Sequence, residues 1–215
     1  RYVNIAHAFW SVGIGLCVIV AGGLLSLGVE WRAILASTAL IAIASGTLFL
    51  WKESPRSRYP EVKGGVAFSE ILRSSRAIAK APRFWICCLA MFVGAGAEFG
   101  LTFWSATYLQ LNFHTGAWVA GLGTGAIALG MFLGRIVFGC LARRELLRSI
   151  LLGSALATIP ITLLLAFLKP GVMPDGLLFL VLFLILFLSG IGISPFWPTV
   201  QVYGVVNMPK LDSTM

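Results

Sequence analysis

LLFLVLFLILFLSGIGISPFWPTVQVYGVV, residues 177–206, runs for 30 residues without a charge. About 20 apolar residues, wound as a helix, cross the hydrocarbon core of a bilayer. The first two-thirds of this run has no polar face, so it has no side to offer to water. The whole chain shares the bias. Of its 215 residues, 59% are hydrophobic and 11% charged, with a mean hydropathy of +0.94. A soluble domain is about half apolar and a quarter charged. The solvent for this chain is lipid.

Working outward, five more spans precede the first one quoted. They run about 3–27, 33–51, 84–111, 117–141 and 150–168. A polar stretch from Lys52 to Arg83 separates the second from the third. Thirteen of the 16 lysines and arginines fall on one side: Arg1, eight in the Lys52–Arg83 loop, Arg143, Arg144, Arg148 and Lys210. Only Arg32 and Lys169 fall opposite, and Arg135 lies at a span end. Such asymmetry puts the basic side in the cytoplasm. The net charge of +8 is therefore a topology signal, and nucleic acid is not an expected partner.

Inside the loop, Phe68, Ile71, Leu72 and Ile78 recur at helical spacing, with Arg73, Arg76 and Lys80 between them. This pattern fits a short helix on the cytoplasmic membrane surface, and equally a plain linker. The chain opens on Arg1 with an apolar helix at once, and Lys210–Met215 reads as the approach to another helix. The segment is expected to be cut from a longer chain. No cleavable signal peptide can be read. Cys17, Cys87, Cys88 and Cys140 lie in apolar runs without metal-ligand spacing. They are expected to be small packing residues, and no metal or cofactor is expected.

Three stretches carry a family resemblance. Gly134-Arg135-Ile136-Val137-Phe138-Gly139-Cys140-Leu141-Ala142-Arg143-Arg144 closes the fourth span. Gly190-Ile191-Gly192-Ile193-Ser194-Pro195-Phe196-Trp197-Pro198-Thr199 interrupts the sixth. Asn4-Ile5-Ala6-His7-Ala8-Phe9-Trp10 leads into Gly13, Gly15, Gly22 and Gly23 in the first. With two spans, a basic loop and four further spans, the chain resembles helices five to ten of a twelve-helix major facilitator superfamily transporter. The second stretch is similar to helix ten of sugar-transporting branches such as the fucose permeases. The drug/proton antiporters carry G-x-x-x-G-P in helix five; aligned on Gly13, the second Gly and the Pro would be Cys17 and Val18.

The resemblance implies an all-α membrane protein whose six transmembrane helices form part of a two-half bundle. Residues 1–51 would end the first half, 52–83 join the halves, and 84–215 begin the second. It implies gating roles for Arg135, Arg143 and Arg144 at the cytoplasmic edge, although Arg143 stands where the family motif has Asp. Pro195 and Pro198 remove backbone donors and break the sixth span. The carbonyls they free must face protein or a wet cavity.

Glu98 is the one carboxylate inside a span. A charge at the bilayer centre costs about 3 kcal/mol by insertion scales, so such a group faces the interior. Thr102, Ser105 and Asn112 lie within about 60° of it around the helix, predicting a polar stripe along a cavity. Glu98 could bind and release a proton, hydrogen-bond a solute, or pair with a basic residue on another helix. Asn4, His7 and Ser11 share a face of the first span. His7 could join a proton relay or make a plain hydrogen bond near the cytoplasmic surface. Ser194, Trp197 and Gln201 share a face of the sixth, and an aromatic ring beside an amide suits a sugar. Ser154, Thr158 and Thr162 recur at i+4 and read as packing contacts.

The function expected is secondary active transport of a small polar solute, a sugar or a related molecule, coupled to protons, in the plasma (cell inner) membrane. A truncated, inactive fragment is the alternative. G-x-S-x-G and H-E-x-x-H are absent, which argues against an intramembrane hydrolase, and repeated filter loops are absent, which argues against a channel. The topology is tested with Glu53→Cys and His114→Cys in a chain cleared of native cysteines. An impermeant thiol reagent on intact cells is expected to label position 114 and spare position 53; the reverse pattern overturns the orientation.

Overall fold

The computed structural model describes residues 2–52 and 68–207; residue 1, residues 53–67 of the central loop and the C-terminal residues 208–215 lie outside the described residues. Among the described residues, eight helices follow in order: α1 (Tyr2–Ser26), α2 (Trp31–Lys52), α3 (Phe68–Ala79), α4 (Pro82–Phe113), α5 (Ala117–Leu141), α6 (Leu147–Phe167), α7 (Asp175–Ile193) and α8 (Phe196–Asn207). Six segments are long and apolar enough to cross a membrane, α7 and α8 together forming the sixth. The expected all-α membrane bundle is what the chain builds.

Local chemistry sets the helix ends. α4 starts on Pro82, whose missing N–H belongs to a turn where N–H groups go unpaired anyway. It stops at His114, in the left-handed conformation with φ 51°, whose N–H bonds the Leu109 carbonyl. Gly28, at φ +83°, makes the turn from α1 to α2, a backbone conformation that costs glycine little. The amphipathic segment of the loop is helical: α3 exposes Phe68 and Leu72, and the Trp85 indole donates to the Ala79 carbonyl at 2.8 Å, tying α3 to α4. Arg83, near the start of α4, donates to the Asn207 carbonyl at the end of α8 at 3.3 Å. These two ends therefore share one side of the bundle, as the topology requires.

α5 is the central helix. It packs most extensively on α1, then on α7 and α4. Small residues make this possible, because membrane helices associate through close backbone packing. A methyl on Gly22 would stand 2.7 Å from the Ala117 carbonyl oxygen, and one on Gly121 2.8 Å from the Val18 carbonyl oxygen. Between α5 and α7 the approach is closer still: a methyl on Gly130 would collide with the Phe187 carbonyl, and one on Gly190 with that of Ile127. Ser26 of α1 accepts from the Trp118 N–H at 2.9 Å, satisfying a free donor in the first turn of α5. The Tyr108 hydroxyl donates to the Leu165 carbonyl at 2.5 Å, occupying an acceptor in the last turn of α6. Among the described residues α2 buries none of its span residues, and it packs lightly on α1. A helix apolar all round suits lipid.

The break between α7 and α8 falls where the prolines predict. Pro195 cannot donate to Ile191, and the Ser194 side chain takes that place, donating to the Ile191 carbonyl at 2.7 Å while its N–H reaches the same oxygen at 3.3 Å. Pro198 sits in the first turn of α8, where a missing N–H is tolerated. It leaves the Ser194 carbonyl without its helical donor.

Gly130→Ala and Gly190→Ala are each expected to destabilise the bundle by about 1–3 kcal/mol through overpacking against backbone. Gly153→Ala, at a position with open space around it, is the neutral control. Thermal unfolding in detergent measures the difference; equal midpoints for all three would show that the α5–α7 approach is not limiting.

Candidate functional site

The orphaned Ser194 carbonyl leads to the site. Arg135 Nε supplies the missing donor at 3.4 Å. The same guanidinium donates through Nη1 to the His7 carbonyl at 2.9 Å and to the Ser11 hydroxyl, and through Nη2 to Glu98 Oε1 at 2.7 Å. One side chain thus joins α1, α4, α5 and the α7–α8 break. Arg135 is 1% exposed and Glu98 3%. The Arg135 guanidinium also lies over the Trp10 ring, 5.2 Å from its centre, a cation–π contact.

This geometry corrects one expectation. Arg135 is not a cytoplasmic-edge arginine; it lies about two turns inside the end of α5, held there by the carboxylate and the two backbone carbonyls. Arg143 and Arg144 do lie beyond the last turn of α5 and are exposed. The third reading of Glu98, pairing with a basic residue of another helix, describes its contact. Among the described residues, its other oxygen has no hydrogen-bond partner.

A cavity of about 470 Å³ opens beside the pair. Its polar wall is Glu98, Arg135 and His7; its apolar wall is Trp10, Phe99 and Trp197, with Ala6 and Ala95 filling gaps. Trp10 meets Phe99 edge-on, centroids 6.1 Å apart, and Phe99 stacks on Phe103 at 5.4 Å. Gln201 is half-buried on α8. His7, Glu98 and Trp197 are thus brought together, from three helices.

Other expected site residues point elsewhere. Thr102 donates to the Glu98 carbonyl at 2.8 Å, and Ser105 shares a 2.7 Å hydrogen bond with Thr124 of α5. The stripe below Glu98 therefore packs against α5 instead of lining the cavity, because small polar groups allow that close crossing. Asn112 is exposed and bonds the Tyr108 carbonyl. Ser194 is buried beneath Gly134, its hydroxyl committed to the break. Pro195 and Pro198 are buried in the break itself. Asn4 belongs to α1, but its side chain lies outside the described residues. Thr158 and Thr162 donate to carbonyls four residues back, as packing residues do. A larger groove of about 700 Å³ between α4, α6 and α8 is apolar apart from these two threonines.

Trp10 and Phe99 line the cavity without having been singled out in the sequence, and Ser11, read there only as sharing a face with His7, proves to be a partner of Arg135. A signal existed: a buried arginine needs several acceptors, and Ser11 lies one turn from His7 on the same face.

The Major Facilitator Superfamily model matches residues 1–214. The chain belongs to this superfamily. It is accordingly a multi-pass integral membrane protein of a transporter family. No curated protein and no solved structure matches it.

The ion pair yields a stability test for this superfamily member. Removing one partner of a buried pair costs about 3–5 kcal/mol, whereas removing both charges can be nearly neutral. Arg135→Met is expected to lower membrane abundance and the detergent unfolding midpoint sharply; Arg135→Met with Glu98→Gln is expected to recover much of the loss. A double variant no better than the single one would show that the charges are not mutually compensating.

Proposed function

We propose that this chain forms the working core of a secondary active transporter that moves a small polar solute, a sugar or a related polyol, together with protons by alternating access. The observation that carries the reading is the cavity in which Glu98, Arg135 and His7 face Trp10, Phe99 and Trp197. Aromatic faces stack on the C–H surfaces of a sugar, and a few fixed polar groups orient its hydroxyls. The residues in hydrogen-bonding reach of a solute there are Glu98 through its second oxygen, His7 through its ring and Arg135 through its remaining Nη2 hydrogen.

The charge balance supports a neutral solute. One guanidinium faces one carboxylate, so no surplus cation recruits an anion while Glu98 is ionised. Glu98 is the carboxylate placed to exchange a proton as the cavity opens to alternate sides. Arg143 and Arg144, exposed beyond α5, suit a role at the cytoplasmic gate. The plasma (cell inner) membrane is the proposed location, and the remaining helices of a two-half bundle are the proposed partners around the cavity.

Glu98→Gln mimics a permanently protonated carboxyl. With radiolabelled neutral monosaccharides as probes in vesicles, the variant is expected to keep counterflow and to lose accumulation driven by a pH gradient. Normal gradient-driven accumulation by Glu98→Gln overturns the coupling role. Loss of both activities at normal protein level favours direct solute binding by Glu98.

A further inference from the structure

The Glu98–Arg135 pair is not free to adjust by itself, because a third helix holds one edge of the guanidinium. We propose that Ser11 is a positioning residue for this pair, making the protonation of Glu98 depend on the contact between α1 and α5. The inference rests on the reading of Glu98 as the proton-exchanging group.

Ser11 is fully buried and lies outside the cavity lining, so its hydroxyl acts on the site through Arg135 alone. That hydroxyl accepts from Arg135 Nη1, and the same nitrogen donates to the His7 carbonyl at 2.9 Å. His7 and Ser11 lie one turn apart, so α1 presents two acceptors side by side to one nitrogen. A guanidinium is a rigid planar fork. With Nη1 held by α1 and Nε directed at the Ser194 carbonyl, the direction of Nη2 is fixed, and it points at Glu98 Oε1 at 2.7 Å.

Both α1 acceptors belong to the most extensive helix contact in the molecule. A motion that separates α1 from α5 therefore removes them together, and the fork turns on its remaining contacts. The groups around Glu98 leave Arg135 as the means of transmission. Arg135 comes from α5 and His7 from α1; Trp197 from α8 and Trp10 and Phe99 carry no charge. The His7 carbonyl is backbone and cannot be removed by substitution. The Ser11 hydroxyl can.

The test is an infrared titration of the full chain in vesicles of phosphatidylcholine and phosphatidylglycerol. The carboxyl C=O band that vanishes in Glu98→Gln reports this group directly. Ser11→Ala removes the acceptor, Ser11→Cys keeps the shape with only a weak acceptor, and Ser11→Thr keeps the hydroxyl. The midpoint of the band is expected to move by about one pH unit in Ser11→Ala and Ser11→Cys, the size of one lost charge-assisted hydrogen bond. It is expected to stay at the wild-type position in Ser11→Thr. Should Ser11→Ala fail to fold, Ser11→Cys carries the comparison. A wild-type midpoint in Ser11→Cys overturns the proposal and leaves the proton reading of Glu98 standing. A midpoint displaced equally in Ser11→Thr also overturns it, since shape rather than the hydroxyl would then matter. A wild-type protein with no titrating Glu98 band overturns both.

Discussion

A guanidinium cannot sit unpaired in a membrane interior. At the centre of a span even the mildest scale charges about 3 kcal/mol for it, and Arg135 is fully buried. Its position is tolerable because four acceptors surround it: a carboxylate, a hydroxyl and two backbone carbonyls. Those acceptors come from α1, α4 and the α7–α8 break. The demand of one side chain for partners thus fixes how four segments of the bundle meet. The glycines of α5 serve the same end, since only close backbones let a single fork reach all of them.

The broken span is part of that arrangement. Two prolines free two carbonyls. The first is satisfied within the break by Ser194; the second would be an unpaired acceptor in an apolar surrounding, which is costly. Arg135 occupies it. The interruption at Pro195 and Pro198 is therefore more than a bend. It supplies a backbone acceptor at the depth where the arginine needs one, and it brings Trp197 to the cavity wall on the next turn.

The spans were legible because length and composition alone decide them in lipid. The break was legible because proline has a local and unavoidable effect. Glu98 was legible as a lone carboxylate in an apolar helix. Arg135 was not, because an arginine two turns from a helix end reads the same whether it snorkels outward or turns inward; the choice depends on acceptors from other helices. Nor could the direction of Thr102 and Ser105 be read. In a soluble helix the polar face marks water. In a membrane helix a polar stripe marks any surface away from lipid, and a packed crossing with Thr124 qualifies as well as a wet cavity. Of the two readings left open around Phe68, Ile71, Leu72 and Ile78, a surface helix or a plain linker, the structure holds a helix, because the amphipathic pattern is helical in period.

A carboxyl that cycles between charged and neutral needs surroundings that tolerate both forms. A bare ion pair does not provide this: once the carboxylate takes a proton, the cation is left uncompensated, and the penalty falls on the partner. Around Arg135 the compensation is distributed. When Glu98 is neutral, the guanidinium still has the His7 and Ser194 carbonyls, the Ser11 hydroxyl and the face of Trp10. One of these, the Ser194 carbonyl, has lost its helical donor to Pro198 and has its acceptor capacity available for the positive charge. The arginine is thereby held in place in either state of the carboxyl, and the cost of moving one proton is spread over four neighbours. Under the proposed coupling role, that distribution is what would let a proton-exchanging carboxyl stand beside a permanent cation in a membrane.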